Sequence, residues 1–175
     1  MKATLCLAAL LAACAPVQKP RPARVPAPSL TRDRALDGAI FKQALSEALH
    51  AATRVEIVEH SSPWDLRKDE RRPGEKVYGS VRLEPASLEA FRGAVGRLDA
   101  GTKTIFMACV PAYHHRINLY EGAELASVLD VCFQCGILEW TGAGYVEPQA
   151  LWPLLATTVT QAGLQPHRDW KALAR

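Results

Sequence analysis

The sequence has no G-x-S-x-G elbow, no glycine-rich phosphate loop and no H-E-x-x-H pair. The local signatures of serine hydrolases, nucleotide-binding enzymes and zinc proteases are therefore absent. Charge of one sign is also lacking where it would matter. Residues 1 to 34 carry six Lys/Arg against one acid, whereas residues 35 to 175 carry fifteen against seventeen. A nucleic-acid-binding domain carries its basic footprint on the folded portion, so that partner class is disfavoured. The acids Glu56, Glu59, Asp130 and Glu139 are scattered and define no glycosidase-like pair. What is present is a chain of 175 residues, 49% hydrophobic and 22% charged, which suits one globular domain with a sizeable core.

The first residues read as an address. Lys2 and the apolar run Leu5 to Ala13 have the charged start and short hydrophobic stretch of an export signal, too short to span a bilayer as a mature helix. The end of that run, Leu11-Ala12-Ala13-Cys14, resembles the lipobox of bacterial lipoproteins. The resemblance implies a signal peptide over residues 1–13 and a lipidated Cys14 as first mature residue. An ordinary secretory signal cut near Ala13 or Ala15 is the alternative. The neutral Ala15 is similar to the pattern sent to the outer membrane, which implies an anchor on its periplasmic face. From Ala15 to Arg34, Pro16, Pro20, Pro22, Pro26 and Pro28 alternate with Lys19, Arg21 and Arg24, a composition that favours extended polyproline II and buries no core. Residues 14–32 are accordingly a lipidated cysteine and linker. At about 3.1 Å per residue the linker could hold a domain up to about 60 Å from the lipid surface.

Residues 33–175 read as a single α+β domain. Between Asp33 and Thr53 the residues Leu36, Ile40, Ala44, Leu45, Ala48, Leu49 and Ala52 recur at helical spacing. Arg54 to Glu59 alternates like a half-buried strand, Asp65 to Lys76 is a charged connector, and Lys76 to Glu84 predicts a second strand. Pro85 opens a helix with Leu88, Phe91, Val95 and Leu98 on one stripe. Strands are expected at Thr104 to Met107, Arg116 to Tyr120 and Leu125 to Phe133, the last two joined as a hairpin at Glu121-Gly122. Gln149 to Ala162 predicts a helix stopped by Gly163, and Trp64, Trp140, Trp152 and Trp170 read as core or rim packing. The expected architecture is a mostly antiparallel sheet with helices packed on one face.

The unusual chemistry lies between Thr104 and Trp140. A simple meander of the three central strands would bring Cys109, His114, His115, Cys132 and Cys135 to one end of the sheet. Export to an oxidising compartment favours a disulfide from Cys109 to Cys132 or Cys135, with one thiol left over. The same residues could instead form a Cys3His site of the zinc type, the C-x2-C turn placing two thiolates on one ion. Adjacent histidines on a strand point to opposite faces, so at most one would look into such a cluster. Asp130, two residues before Cys132, is a candidate to support a histidine or metal, or an edge-exposed acid. Cys132-Phe133-Gln134-Cys135 is also formally a redox C-x-x-C, but it ends a strand rather than opening a helix, where the dipole would lower the thiol pKa.

The succession Val77-Tyr78-Gly79, a helix, Cys109-Val110-Pro111, a nearby histidine, a hairpin and Cys132-Phe133-Gln134-Cys135 resembles a group of small uncharacterised bacterial secreted proteins with a C-x-P-x-H and C-F-x-C core. The resemblance covers about Val77 to Trp140. It implies a shared site at Cys109, His114 or His115, Cys132 and Cys135, and it supplies no activity. Ala112-Tyr113 adds one residue to the pattern, which leaves the choice of histidine open. The combined expectation is a monomeric, lipid-anchored envelope domain acting as a binding or structural module. Its partners would be the membrane, through Cys14, and an envelope protein. An enzyme using the cluster, as a metal-assisted hydrolase or a thiol oxidoreductase, is the rival class.

Overall fold

The structure is a computed structural model that describes residues 34–66, 74–102, 109–142, 144 and 146–174. The signal, Cys14, the linker and the expected strand at Thr104 to Met107 lie outside those residues. The elements run α1 (Arg34–Ala51), β1 (Arg54–His60), β2 (Val77–Arg82), α2 (Pro85–Gly96), β3 (His115–Glu121), β4 (Glu124–Cys132), β5 (Ile137–Trp140), α3 (Leu151–Gln161) and the short α4 (Trp170–Leu173). The strands form one sheet in the order β2-β1-β3-β4-β5, every pairing antiparallel. The fold is thus α+β, with helices packed against an antiparallel sheet, as the periodicities predict. No described helix is long and apolar enough to cross a membrane.

Side chains alternate across each strand, and the two faces they create differ sharply. Val55 and Ile57 of β1, Ile117 and Leu119 of β3, and Leu129 and Val131 of β4 enter the core. There they meet Phe41, Leu45 and Leu49 of α1, Leu88, Phe91 and Val95 of α2, and Leu151, Leu155 and Val159 of α3. α1 departs from the expected stripe: Leu36 is 57% exposed, and Phe41 takes the core position instead. Phe41, Leu45 and Leu49 recur every four residues, and Phe41 packs its ring on Trp140 with centroids 5.1 Å apart. Arg92 of α2 donates from Nε to the Leu49 carbonyl (2.8 Å) and from Nη2 to the Ala52 carbonyl (2.7 Å). A cation there satisfies carbonyls that the end of α1 leaves without helical partners, which locks the two helices together.

The meander expected for the central strands is not the observed order. β3 has both edges occupied, by β1 on one side and β4 on the other, so no further strand can lie beside it. The short β5 is not among the strands that alternation predicts. It follows the turn at Phe133 to Gly136 and pairs Glu139 with Asp130 and Trp140 with Leu129. Gly136 makes this reversal with φ +58°, a left-handed conformation that glycine adopts without a Cβ penalty.

Candidate functional site: a cleft on the open sheet face

The face opposite α1, α2 and α3 carries polar residues in register. Pairing sets Glu56 beside Arg82 and Asn118, Arg116 beside Val58 and Asp130, and Asp130 beside Glu139. Arg116 organises one end of this face. Its Nε donates to Asp130 Oδ1 at 3.0 Å, while Nη1 and Nη2 donate to the two oxygens of Glu75 at 3.1 and 3.0 Å. The paired bonds to Glu75 match the planar fork of a guanidinium to a carboxylate. They hold the Glu75 carboxyl below the usual carboxylate range, and hydrogen bonding to Glu75 raises the Arg116 pKa. Arg116 is therefore a fixed cation between two acids.

A cleft of about 450 Å³ opens above this network. Its floor includes Arg116, Asp130, Glu139 and His60, and its walls include Pro63, Trp64, Val110 and Pro111. Trp64 is 55% exposed and Val110 62%. Tyr113 contributes a phenol whose pKa is pushed up to about 12, by burial first and then by the neighbouring Glu139 carboxylate. His60 is buried, and burial lowers its pKa, so the ring is neutral at neutral pH. Its Nδ1 bonds the Ser61 carbonyl at 3.1 Å, and Nε2 has no hydrogen-bond partner among the described residues.

The sequence-predicted cluster separates into parts that build the walls of this cleft. Cys109 and Cys135 form a disulfide with Cα atoms 5.9 Å apart. The bridge ties the Val110-Pro111 wall to the β4–β5 turn. Cys132 is the leftover thiol, buried at the end of β4, where its sulfur accepts from the Cys135 backbone N–H at 3.4 Å. The C-x-x-C pair is not joined, because its second sulfur is committed to Cys109. The redox reading based on that motif therefore lacks its dithiol.

Neither histidine is held by the sulfurs. His114 Nε2 bonds Asp65 Oδ1 at 2.7 Å, and its ring stacks on Trp170 at 4.3 Å with planes 6° apart. Asp65 also accepts from the Ser62 backbone N–H at 2.7 Å, so His114 anchors the opposite wall. His115 turns toward the helical side, where it is 1% exposed. Its Nε2 donates to the Gln165 carbonyl at 3.1 Å and lies 3.7 Å from Glu59. Burial pushes the His115 pKa down to about 4. Glu59, itself fully buried, accepts from the Gln165 backbone N–H at 2.6 Å and pairs with Arg168 at 3.0 Å. This second polar knot fastens the C-terminal segment to the sheet.

Among the described residues, no three His, Cys, Asp or Glu side chains form a set that could hold a metal ion. The Cys3His expectation is corrected accordingly: two of the sulfurs bond each other, and both imidazoles are engaged by oxygen acceptors elsewhere. Asp130 likewise supports neither a histidine nor a metal, since its partner is Arg116.

Comparisons with family models, curated proteins and solved structures return no match. The cleft itself is thus the guide to function. The residues that sequence reasoning missed, Arg116, Glu75, His60, Tyr113 and Glu139, are polar positions on strands or loops that read as ordinary solvated surface. Their one signal would be register, and the turn alone misplaces it: counting out from Glu121-Gly122 sets Arg116 opposite Leu129, and only the irregularity between Leu119 and Tyr120 shifts its partner to Asp130.

Proposed function

We propose that this chain is a bacterial envelope protein, lipid-anchored through Cys14, whose α+β domain acts as a monomeric binding module. The cleft on the open face is the binding site. The observation that supports this most is the construction of the cleft. Its apolar walls are tethered separately, one by Cys109–Cys135 and the other by His114–Asp65, around a floor of ion-paired residues. Such preorganisation lowers the ordering cost of binding, and apolar walls with a few fixed polar groups are the usual composition of a ligand site. The anchor is supported by the likeness of Leu11 to Cys14 to a lipobox and by the spacer composition that follows it.

Two measurements test the reading. Mass spectrometry of the protein from a bacterial host should find a lipidated N-terminal Cys14, and Cys14→Ser should release the protein from membranes; an unmodified Cys14 would sink the anchor. NMR titration of the full chain in detergent, with cationic peptides, neutral glycans and anionic vesicles in turn, should move the resonances of Tyr113, Arg116, Asp130 and Glu139 together. Shifts confined to other surfaces would remove the cleft from consideration.

A further inference from the structure

Three of the chain's five cysteines lie together in the structure and share a single bond. Cys109 and Cys135 form the bridge, and Cys132 keeps its thiol. Alternation along β4 sends Val131 into the core and turns Cys132, with Asp130, to the other face. Phe133 and Gln134 then separate it from Cys135, and the chain reverses at Gly136. The reversal folds Cys135 back on Cys132, so that its backbone N–H donates to the Cys132 sulfur at 3.4 Å. That nitrogen is three bonds from the Cys135 sulfur, which places a free thiol within one side chain's length of a disulfide.

The three sulfurs differ in what can reach them. Cys132 is 1% exposed and Cys135 2%. Burial shields both from reagents in solution and does not keep them from each other. Cys109 is half-buried and begins the wall on which Val110 is 62% exposed. An attack by Cys132 on its neighbour Cys135 therefore expels the one sulfur that an outside molecule can meet.

We propose that Cys132 is an internal nucleophile toward Cys135 and that Cys109 is a masked site for covalent attachment of a small thiol. The Cys132 thiolate attacks the Cys135 sulfur; the Cys132–Cys135 bond forms, the Cys109–Cys135 bond breaks, and Cys109 leaves as a thiolate. This step has no net oxidation or reduction. Cys109 then attacks a low-molecular-weight disulfide R–S–S–R, which gives Cys109–S–S–R and expels R–S⁻, and the proton lost by Cys132 ends on that thiolate. The small disulfide is the oxidant: it is reduced to one thiol while the chain's one thiol enters a disulfide. Exchange unties the Val110-Pro111 wall from the β4–β5 turn, and a thiol that strips R from Cys109 restores the starting bridge by the reverse attack. The chemistry stands whether or not the cleft binds a ligand.

Glutathione disulfide is the probe, applied to the full chain in detergent at about pH 8, where thiolates form. Non-reduced peptide mapping is the readout, and it resolves adducts on Cys14 from those on Cys109. Quenched with acid at once, the chain should show Cys109–Cys135. After incubation it should show Cys132–Cys135 together with glutathione on Cys109, and Cys132→Ala should lower the Cys109 adduct about tenfold or more. Cys109→Ser should close Cys132–Cys135 under the same conditions, which tests the reach of the nucleophile without relying on the stability of Cys132→Ala. An adduct on Cys132 or Cys135 in place of Cys109 overturns the proposal, since solvent then meets the sulfurs held to be shielded. A Cys109 adduct that forms equally in Cys132→Ala overturns it too, as does a wild-type chain that keeps Cys109–Cys135 without an adduct, or a Cys109→Ser chain that stays unbridged.

Discussion

The two faces of the sheet are built from the same strands and behave as different materials. On the helical side, Val55, Ile57, Ile117, Leu119, Leu129 and Val131 meet apolar helix stripes, and burial is driven by removing hydrocarbon from water without regard to direction. On the open side, Glu56, His60, Arg116, Asp130 and Glu139 occupy the intervening positions, and order comes from directional hydrogen bonds, around the Arg116 guanidinium at one end and from Ser80 and Tyr120 to Glu56 at the other. The difference teaches that stability and recognition are separated by the strand period itself: odd positions of β1 and β3 hold the domain together, and even positions present a surface.

The largest expected effect attacks the helical side. Phe41→Ala removes a ring packed against Trp140 and should cost about 4 kcal/mol in urea unfolding, the range for a buried aromatic. A loss below about 1 kcal/mol would mean that α1 is not a core element. Next comes the bridge that serves the open side. Cys109→Ser with Cys135→Ser opens a loop spanning a sequence separation of 26 and should cost about 3 to 4 kcal/mol by chain entropy. If the bridge shapes the cleft, ligand binding should fall by more than this destabilisation accounts for; parallel losses would make it a general staple.

A pH scan sharpens the contrast further. His115 sits on the helical side with its pKa depressed from 6.5 to about 4 by burial. The unfolded chain binds this proton in the interval and the folded chain does not, so the contribution is fully present above pH 6.5 and declines as pH falls toward 4. The loss over that window is about 3 kcal/mol. His115→Gln should flatten that slope, leaving the part contributed by His60 on the open face, whose pKa burial also lowers. The smallest stability effect is expected for Arg116→Ala. Its side chain is 31% exposed and its pairs are solvent-screened, so the cost should be about 1 kcal/mol. Binding at the cleft should nevertheless be lost, since Glu75 and Asp130 would no longer be held in place.

The same division decides what could be read in the sequence. Apolar recurrence every three or four residues located α1 and α2, and alternation located β1 and β3, because burial leaves a periodic trace; α3 was bounded by its stop at Gly163. Leu36 misled because its side of α1 is apolar enough to pass for core, while Phe41, one residue beyond Ile40, carries the packing. Cys109, His114, His115, Cys132 and Cys135 stood out by residue type. Their contacts did not, since a partner such as Asp65, Gln165 or Arg116 depends on strand order and loop closure, which no local pattern encodes. β5 leaves no such trace, because Ile137 to Trp140 is four residues long and finds its place only through pairing with β4.

Peptide mapping of the non-reduced, alkylated chain bears most directly on the claim that a long-range bridge walls the cleft. The structure predicts a Cys109–Cys135 cross-linked peptide and a Cys132 that is alkylated only after unfolding. A Cys132–Cys135 cross-link, with Cys109 alkylated in the native protein, would contradict it.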